Sequence, residues 1–377
     1  MIDTMLKSIR PKTYNWSNWA GNVSCSCEQI FYPHTEAQIV EIVQLAAQMG
    51  KNIRVVGEGH SFSNLVQTDA FMVSLRAYNG LLAVDKDNKT ATIKAGTSIK
   101  KANAMLFEQG LAMINLGDID VQSVAGATAT GTHGTGLSFG NVSSEMVSFR
   151  IVTADAQILN CSARENAVLF EAGRVALGLL GIITQITFRV DEAYKLEYIS
   201  SSADFSETVQ NIEQLNHKNR NFEFYYFPYS DKVQLKKSNK TDKAVRYNKF
   251  LAYINDVIIE NVAMQTICSI AMRFPTWFKG VNRFMANNFT KETKINYSHQ
   301  IYATVRNVKF KEMEYNIPIE HFEKCIKALK ELIEEKEYYI FFPVECRFVK
   351  ADNIWLSPAY QRDSAYIAVH AYSTAPH

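Results

Sequence analysis

The chain has 377 residues, 47% of them apolar and 21% charged, with a net charge of +2. That length favours two domains, and the composition is that of an ordinary globular protein with enough apolar material for a sizeable core. Lys and Arg are scattered, apart from modest clusters such as Lys236–Lys237. A balance this close to zero excludes nucleic acid, or an anionic membrane, as the main electrostatic partner. Six cysteines (Cys25, Cys27, Cys161, Cys268, Cys325 and Cys346) form no CxxC pair. Neither a zinc site nor a disulfide framework is therefore expected, and the cysteines suit a reducing compartment.

In chain order, "MIDTMLKSIRPKTYNW" lacks the apolar core of a signal peptide, so a cytoplasmic location is expected. "HTEAQIVEIVQLAAQMG" reads as a helix that Thr35 caps, Gln38 completes as a capping box and Gly50 closes. The strand "NIRVV" follows, then the turn "GEGHS". "FMVSL", "LLAVD" and "TATIKAGTSI" read as strands and "SIKKANAMLFEQG" as a second helix. This order suits an α+β domain better than a parallel dinucleotide-binding sheet.

"MVSFRIVTADAQILNC" gives two strands around an Ala-Asp turn, and "VALGLLGIITQITFRV" a short helix leading through Gly181 into a strong strand. After about Asp191 the strands become aromatic and the connections charged, as in a second domain. "FLAYINDVIIENVAMQTICSIAMRF" is interrupted by Asp256, Glu260 and Asn261 before it can span a bilayer. It reads as an amphipathic helix and leaves peripheral membrane contact open. "IEHFEKCIKALKELIEEKEYY" is a long charged helix, followed by the strands "VECRFV" and "SAYIAVHAY".

Three stretches could carry chemistry. In "RVVGEGHSF", Gly57 and Gly59 flank Glu58, and the main-chain amides of such a turn can converge on an anion. Phe62 stands where the third glycine of a G-x-G-x-x-G fingerprint would be, so a phosphate cradle and a plain turn both remain open. From Gly126 to Gly136 the chain uses only Gly, Ala, Thr and His133. Such residues let a planar or phosphorylated ligand approach the backbone, or let two backbones pack tightly around a structural histidine.

In "VECRFV" the period of two puts Glu345 and Arg347 on one face and Val344, Cys346 and Phe348 on the other. "AYIAVHAY" likewise groups Tyr366, Ala368, His370 and Tyr372. A carboxylate, a guanidinium and an imidazole together suit proton removal with stabilisation of negative charge. A salt bridge on a solvated sheet face is the alternative.

Taken together, "RVVGEGHSF", "GDIDVQSVAGATATGTHGTG", "LGLLGIITQITFRV" and "VECRFVKADNIWLSPAYQRDSAYIAVH" resemble a known family. It is that of the sugar-lactone and alditol oxidases, within the vanillyl-alcohol-oxidase (PCMH-type) FAD flavoproteins. The resemblance runs in order over essentially the whole chain. It implies an α+β fold, with a two-lobed FAD-binding domain at 15–191 and a substrate or cap domain at 192–377 carrying a large antiparallel sheet.

By resemblance, the turn Val55, Val56, Gly57, Glu58, Gly59, His60 and Ser61 holds the FAD pyrophosphate, with His60 bonded covalently to the flavin. Ser123, Thr128 and Gly131 form a second FAD-contacting run with Thr135, Gly136, Leu137 and Ser138, and Ile183 lies on the adenine side. Glu345, Arg347 and His370 face the substrate, and Ser123 places a hydroxyl near it. The implied reaction passes a hydride from a CH–OH group of an aldono-1,4-lactone to the flavin, with oxygen or another acceptor reoxidising it. The resemblance implies no metal. Family members carry a terminal His-Trp-X-Lys segment that this sequence does not reach. An open-chain polyol oxidase, or a truncated FAD-binding protein with little turnover, are the alternative expectations.

Overall fold

The computed structural model describes residues 13–246, 273, 277–288, 291–303, 309–340 and 342–372. The apolar segment from Phe250 lies outside them except for Arg273. Among the described residues no helix is long and apolar enough to cross a membrane.

Strands β1 (Tyr14–Ser17) and β2 (Ser24–Cys27) form a hairpin, and β3 (Gln29–Phe31) leads into α1 (Glu36–Met49). The capping box is present: Thr35 Oγ1 accepts from Gln38 N at 3.2 Å, and the Gln38 side chain accepts from Thr35 N at 3.3 Å. Gly50 ends α1 with φ +62°, a backbone position that glycine reaches without strain. Ile39, Ile42, Val43, Leu45 and Ala46 give α1 its buried stripe, which packs on Phe31, Phe71 and Val73. β4 (Ile53–Val56) and β5 (Phe71–Ser74) pair in parallel, and with β3 they make a three-stranded sheet in the order β3-β5-β4.

An antiparallel sheet follows. Its order is β10 (Ile158–Ser162), β9 (Met146–Val152), β11 (Ile182–Glu192), β7 (Thr90–Lys94) and β6 (Leu81–Asp85), with β8 (Leu111–Met113) also on β11. Helices α2 (Ile99–Glu108), α3 (Val124–Ala129) and α4 (Ala167–Gly173) belong to this half. The Gly/Ala/Thr run opens within α3. One expectation is corrected here. The segment after Val175 is not a helix but a turn, with Leu177 at φ +53° and Gly178 at φ +72°.

The third sheet has seven antiparallel strands in the order β15-β12-β14-β13-β17-β18-β16. They are β12 (Lys195–Asp204), β13 (Asn221–Tyr226), β14 (Lys232–Lys240), β15 (Glu292–Tyr297), β16 (Phe310–Pro318), β17 (Val344–Val349) and β18 (Ser364–Tyr372). Alternation divides its two faces. Phe222, Phe224, Cys346, Phe348 and Ile367 turn to an apolar core shared with Phe322, Ile326 and Ile333 of a long helix, Phe322–Glu335. The opposite face carries charged side chains. Thr135 and Gly136 tie the halves together: Gly136 N donates to Phe348 O at 2.7 Å, and Thr135 Oγ1 accepts from Phe348 N at 3.2 Å.

Candidate active site

The β1–β2 hairpin holds the glycine turn that follows β4. Asn18 Nδ2 donates to Ser61 O at 3.0 Å, Asn22 Nδ2 to Phe62 O at 3.0 Å and Trp19 N to Gly59 O at 2.8 Å. Gly59 has φ +70°, and a Cβ there would stand 3.2 Å from the Trp16 ring. At Gly57 the constraint comes from across the cleft, because a Cβ would stand 2.8 Å from Ser123 Oγ. Ser123 caps α3, its hydroxyl accepting from Gly126 N at 3.2 Å. Glycine is needed at both places, by backbone angle at one and by close approach at the other.

These segments bound a cleft with about 1250 Å³ of atom-free space. Val55, Val56, Gly57, Glu58, Gly59, His60, Ser61, Ser123 and Ile183 all line it, as the resemblance implies. Arg76, Gly126, Thr130, Leu177, Gly178 and Gly181 line it as well. Gly178 and Gly181 both take positive φ, and the glycines of "LGLLG" are the sequence signal that could have found them.

Six expected cofactor contacts lie elsewhere. Thr128 is fully buried, with its hydroxyl donating to Val124 O and Ala125 O. Gly131 packs near Pro358 and Val175. Thr135 and Gly136 are spent on Phe348, Leu137 packs against the core of the large sheet, and Ser138 is exposed. The small-residue run is therefore split. Its first part faces the cleft, and from Thr132 to Gly136 it serves backbone packing, where a Cβ on Gly117 would stand 2.9 Å from His133 O.

His60 connects the cleft to the large sheet through aromatic rings. Its imidazole stacks on Trp19 at 5.1 Å, Trp19 meets Phe310 edge-on at 5.3 Å, and Phe310 meets His370 edge-on at 5.1 Å. Burial pushes the His60 pKa below its ordinary value and favours the neutral ring.

On the charged face, register brings together residues far apart in the chain. Arg347 lies opposite Glu223 and Tyr366, Glu345 opposite Tyr225 and Ala368, and His370 opposite Glu312. Arg347 pairs with Glu345, with Glu223 at 3.0 Å and with Asp118 at 3.3 Å. Tyr225 Oη donates to Glu345 Oε1 at 2.7 Å. His370 Nε2 stands 3.6 Å from Glu312 and 3.9 Å from Glu345, and Nδ1 stands 3.3 Å from Pro343 O.

Glu345 is only 4% exposed, so this is not a salt bridge on a solvated face. Burial works against the Arg347 charge, but Glu345, Asp118 and Glu223 outweigh it and hold the pKa well above its ordinary value. Arg347 also lines a second, smaller cavity with Asp118, Glu223 and Lys236. Ser123 belongs to the cleft lining. Asp118, Glu223, Tyr225, Glu312 and Glu314 were missed in the sequence. Each reaches the site only through strand register or a loop from the other half.

A cleft walled by backbone and small residues, beside a buried charged sheet face, defines the arrangement of a flavin-dependent oxidoreductase. Comparison with known proteins supports this class. A model described as "FAD binding domain" matches residues 27–162, and one described as "D-arabinono-1,4-lactone oxidase" matches residues 186–377. L-gulono-1,4-lactone dehydrogenase of Mycobacterium tuberculosis is 34% identical over 358 residues, covering 95% of this chain and 83% of that protein. L-gulonolactone oxidase of Mus musculus is 32% identical over 365 residues, covering 96% and 82%. Cholesterol oxidase from Brevibacterium sterolicum shares the fold, with a TM-score of 0.80 at 16% identity over 98% of this chain and 81% of that one. The chain belongs to the aldonolactone oxidase family of PCMH-type FAD flavoproteins.

Proposed function

We propose that the chain is an FAD-dependent oxidoreductase that oxidises a CH–OH group of an aldono-1,4-lactone and passes the electrons to oxygen or another acceptor. The observation that carries this reading is the juxtaposition of the glycine-turn cleft with the buried Glu345–Arg347–His370 face, joined by the ring contacts of Trp19 and Phe310. The residues present fit the cofactor. Side chains are excluded at Gly57 and Gly59, as main-chain contact with a pyrophosphate requires, and the cleft continues to Ile183.

FAD supplies the hydride acceptor when bound. The chain's own residues do the rest. Arg347, kept cationic, stabilises negative charge developing on the substrate oxygen. Glu345, oriented by Tyr225 and Arg347, and His370, held by Pro343 O, are placed to accept the hydroxyl proton. Neutral His60 keeps a ring nitrogen lone pair for the covalent tether to the flavin. Ser123 offers a hydroxyl at the cleft. We further place the domain division at 191/192. The support is that β11 ends the six-stranded sheet at Glu192 and β12 begins the seven-stranded one at Lys195.

Turnover on L-gulono- and D-arabinono-1,4-lactone against xylitol, with oxygen uptake and an artificial acceptor followed in parallel, tests the reaction. Reduction by xylitol alone would sink the lactone assignment. Flavin that stays with acid-precipitated protein, and is released from His60→Ala, tests the tether.

A further inference from the structure

We propose that His133 is a positioning residue for the reaction: paired as a cation with Glu314, it keeps that carboxylate ionised and fixed against the Arg347–His370 face. The proposal rests on the functional reading above for its catalytic consequence, and on geometry for the pair itself.

His133 is 8% exposed and lies in the stretch of small residues that packs backbone to backbone. Its Nδ1 stands 2.8 Å from Gly134 O and its Nε2 3.3 Å from Glu314 Oε2. A carbonyl oxygen only accepts, and so does an ionised Glu314, so with that carboxylate charged both contacts are satisfied by a hydrogen on each ring nitrogen, which is the imidazolium. The Tyr366 ring lies on the imidazole at 3.8 Å between centroids, a placement that favours a cation.

The surrounding charges agree. Burial opposes the His133 charge and Arg347 adds to that opposition, but Glu314 outweighs them and raises the pKa. Burial likewise opposes ionisation of Glu314, and His133, Arg347 and His370 together lower its pKa. On the sheet, Glu314 lies opposite Ala368, which in turn lies opposite Glu345. Only a methyl group separates the two carboxylate positions across β18. Glu312 and Glu345 stand 3.6 and 3.9 Å from the His370 imidazole, and Glu314 is a third carboxylate that interacts with it through charge. His133 is thus the charge from the other half of the molecule that balances one of them. It is not among the residues that line the cleft, and it acts through Glu314.

The test uses the full-length holoprotein labelled with ¹⁵N-histidine, with two-dimensional ¹H–¹⁵N spectra recorded across pH. One imidazole, assigned by its loss in His133→Gln, is expected to keep both nitrogens protonated at pH 7. Glu314→Gln should return that imidazole to an ordinary titration and lower the His370 pKa. His133→Gln should raise it. The acid limb of kcat/KM on L-gulono-1,4-lactone should move in the same opposite directions, and the double variant should lie near the wild type.

A His133 that is neutral at pH 7, or two variants that shift His370 the same way, would overturn the proposal. If His133→Gln fails to fold, Glu314→Gln still identifies the paired imidazole by its shift and decides the sign. If no lactone is turned over, the functional reading fails while the spectra still decide the pair.

Discussion

The cleft and the charged sheet face are joined by three ring contacts, yet they are built from opposite materials. The cleft is bounded by main chain, glycines, small side chains and apolar residues. The sheet face gathers two sets of charge contacts, Arg347 with Glu345, Glu223 and Asp118, and Glu314 with His133. The first arrangement recognises by shape and main-chain polarity and tolerates no added atoms. The second works by balanced charge and tolerates no removal of a partner. A substitution that adds bulk should therefore damage cofactor retention, and one that deletes charge should damage turnover and folding.

The largest effect is expected where the most carboxylates depend on one cation. Arg347→Ala removes the cation that Glu345, Glu223 and Asp118 share, which should lower stability by about 3–5 kcal/mol and kcat by about 10²–10³. A thermal melt within error of the wild type would show that the cluster is not held by Arg347. Next comes the His133–Glu314 pair, with a stability of similar character but a distinctive pH window. The raised His133 pKa means that its contribution is complete below the ordinary value of 6.5 and is lost as pH rises through the native value. The lowered Glu314 pKa means that its contribution is complete above 4.5 and is lost as pH falls through the native value. The Tm difference between wild type and Glu314→Gln should accordingly be greatest between these values, and a pH-independent difference would contradict a charged pair.

On the cleft side, Gly57→Val places side-chain atoms against Ser123 Oγ. It should weaken FAD retention by about 1–3 kcal/mol. The ratio of flavin to protein absorbance measures this, and the companion change Ser123→Gly should restore part of the loss. The smallest effect is expected from Tyr225→Phe, which removes one hydrogen bond to Glu345 and leaves the ion pair. About 1.5 kcal/mol, or roughly tenfold in kcat/KM, is the expected scale for a bond to a charged group. A loss as large as that of Arg347→Ala would mean that Tyr225 does more than orient Glu345.

The same contrast governs what could be read from the sequence. Alternation along "VECRFV" was enough to put Glu345 and Arg347 on one face, because strand geometry is local. The capping box of α1 and the glycine turn after β4 were legible for the same reason. The partners of Arg347 were not. Asp118 comes from a loop of the other half and Glu223 from a neighbouring strand, and nothing local in either stretch announces them. The run from Thr128 to Ser138 left two readings open for a physical reason. Small residues permit close approach of a ligand or of another backbone, and composition cannot tell which. The short turn at Val175–Leu180 read as helix because its leucines and alanine favour one. Leu177 and Gly178 take left-handed angles instead, and Leu177 N donates to Ala129 O at 3.0 Å, a contact distant in sequence.

The bonds of Thr135 and Gly136 to Phe348 also have a consequence for biogenesis. The paired residues Thr135 and Phe348 are 213 positions apart. Chains emerge from the ribosome N-terminus first, so Asp118, His133 and the whole glycine turn are synthesised well before their partners on β16 and β17. The lobe that receives the cofactor can take shape early, whereas the ion-pair cluster closes only when the last strands dock.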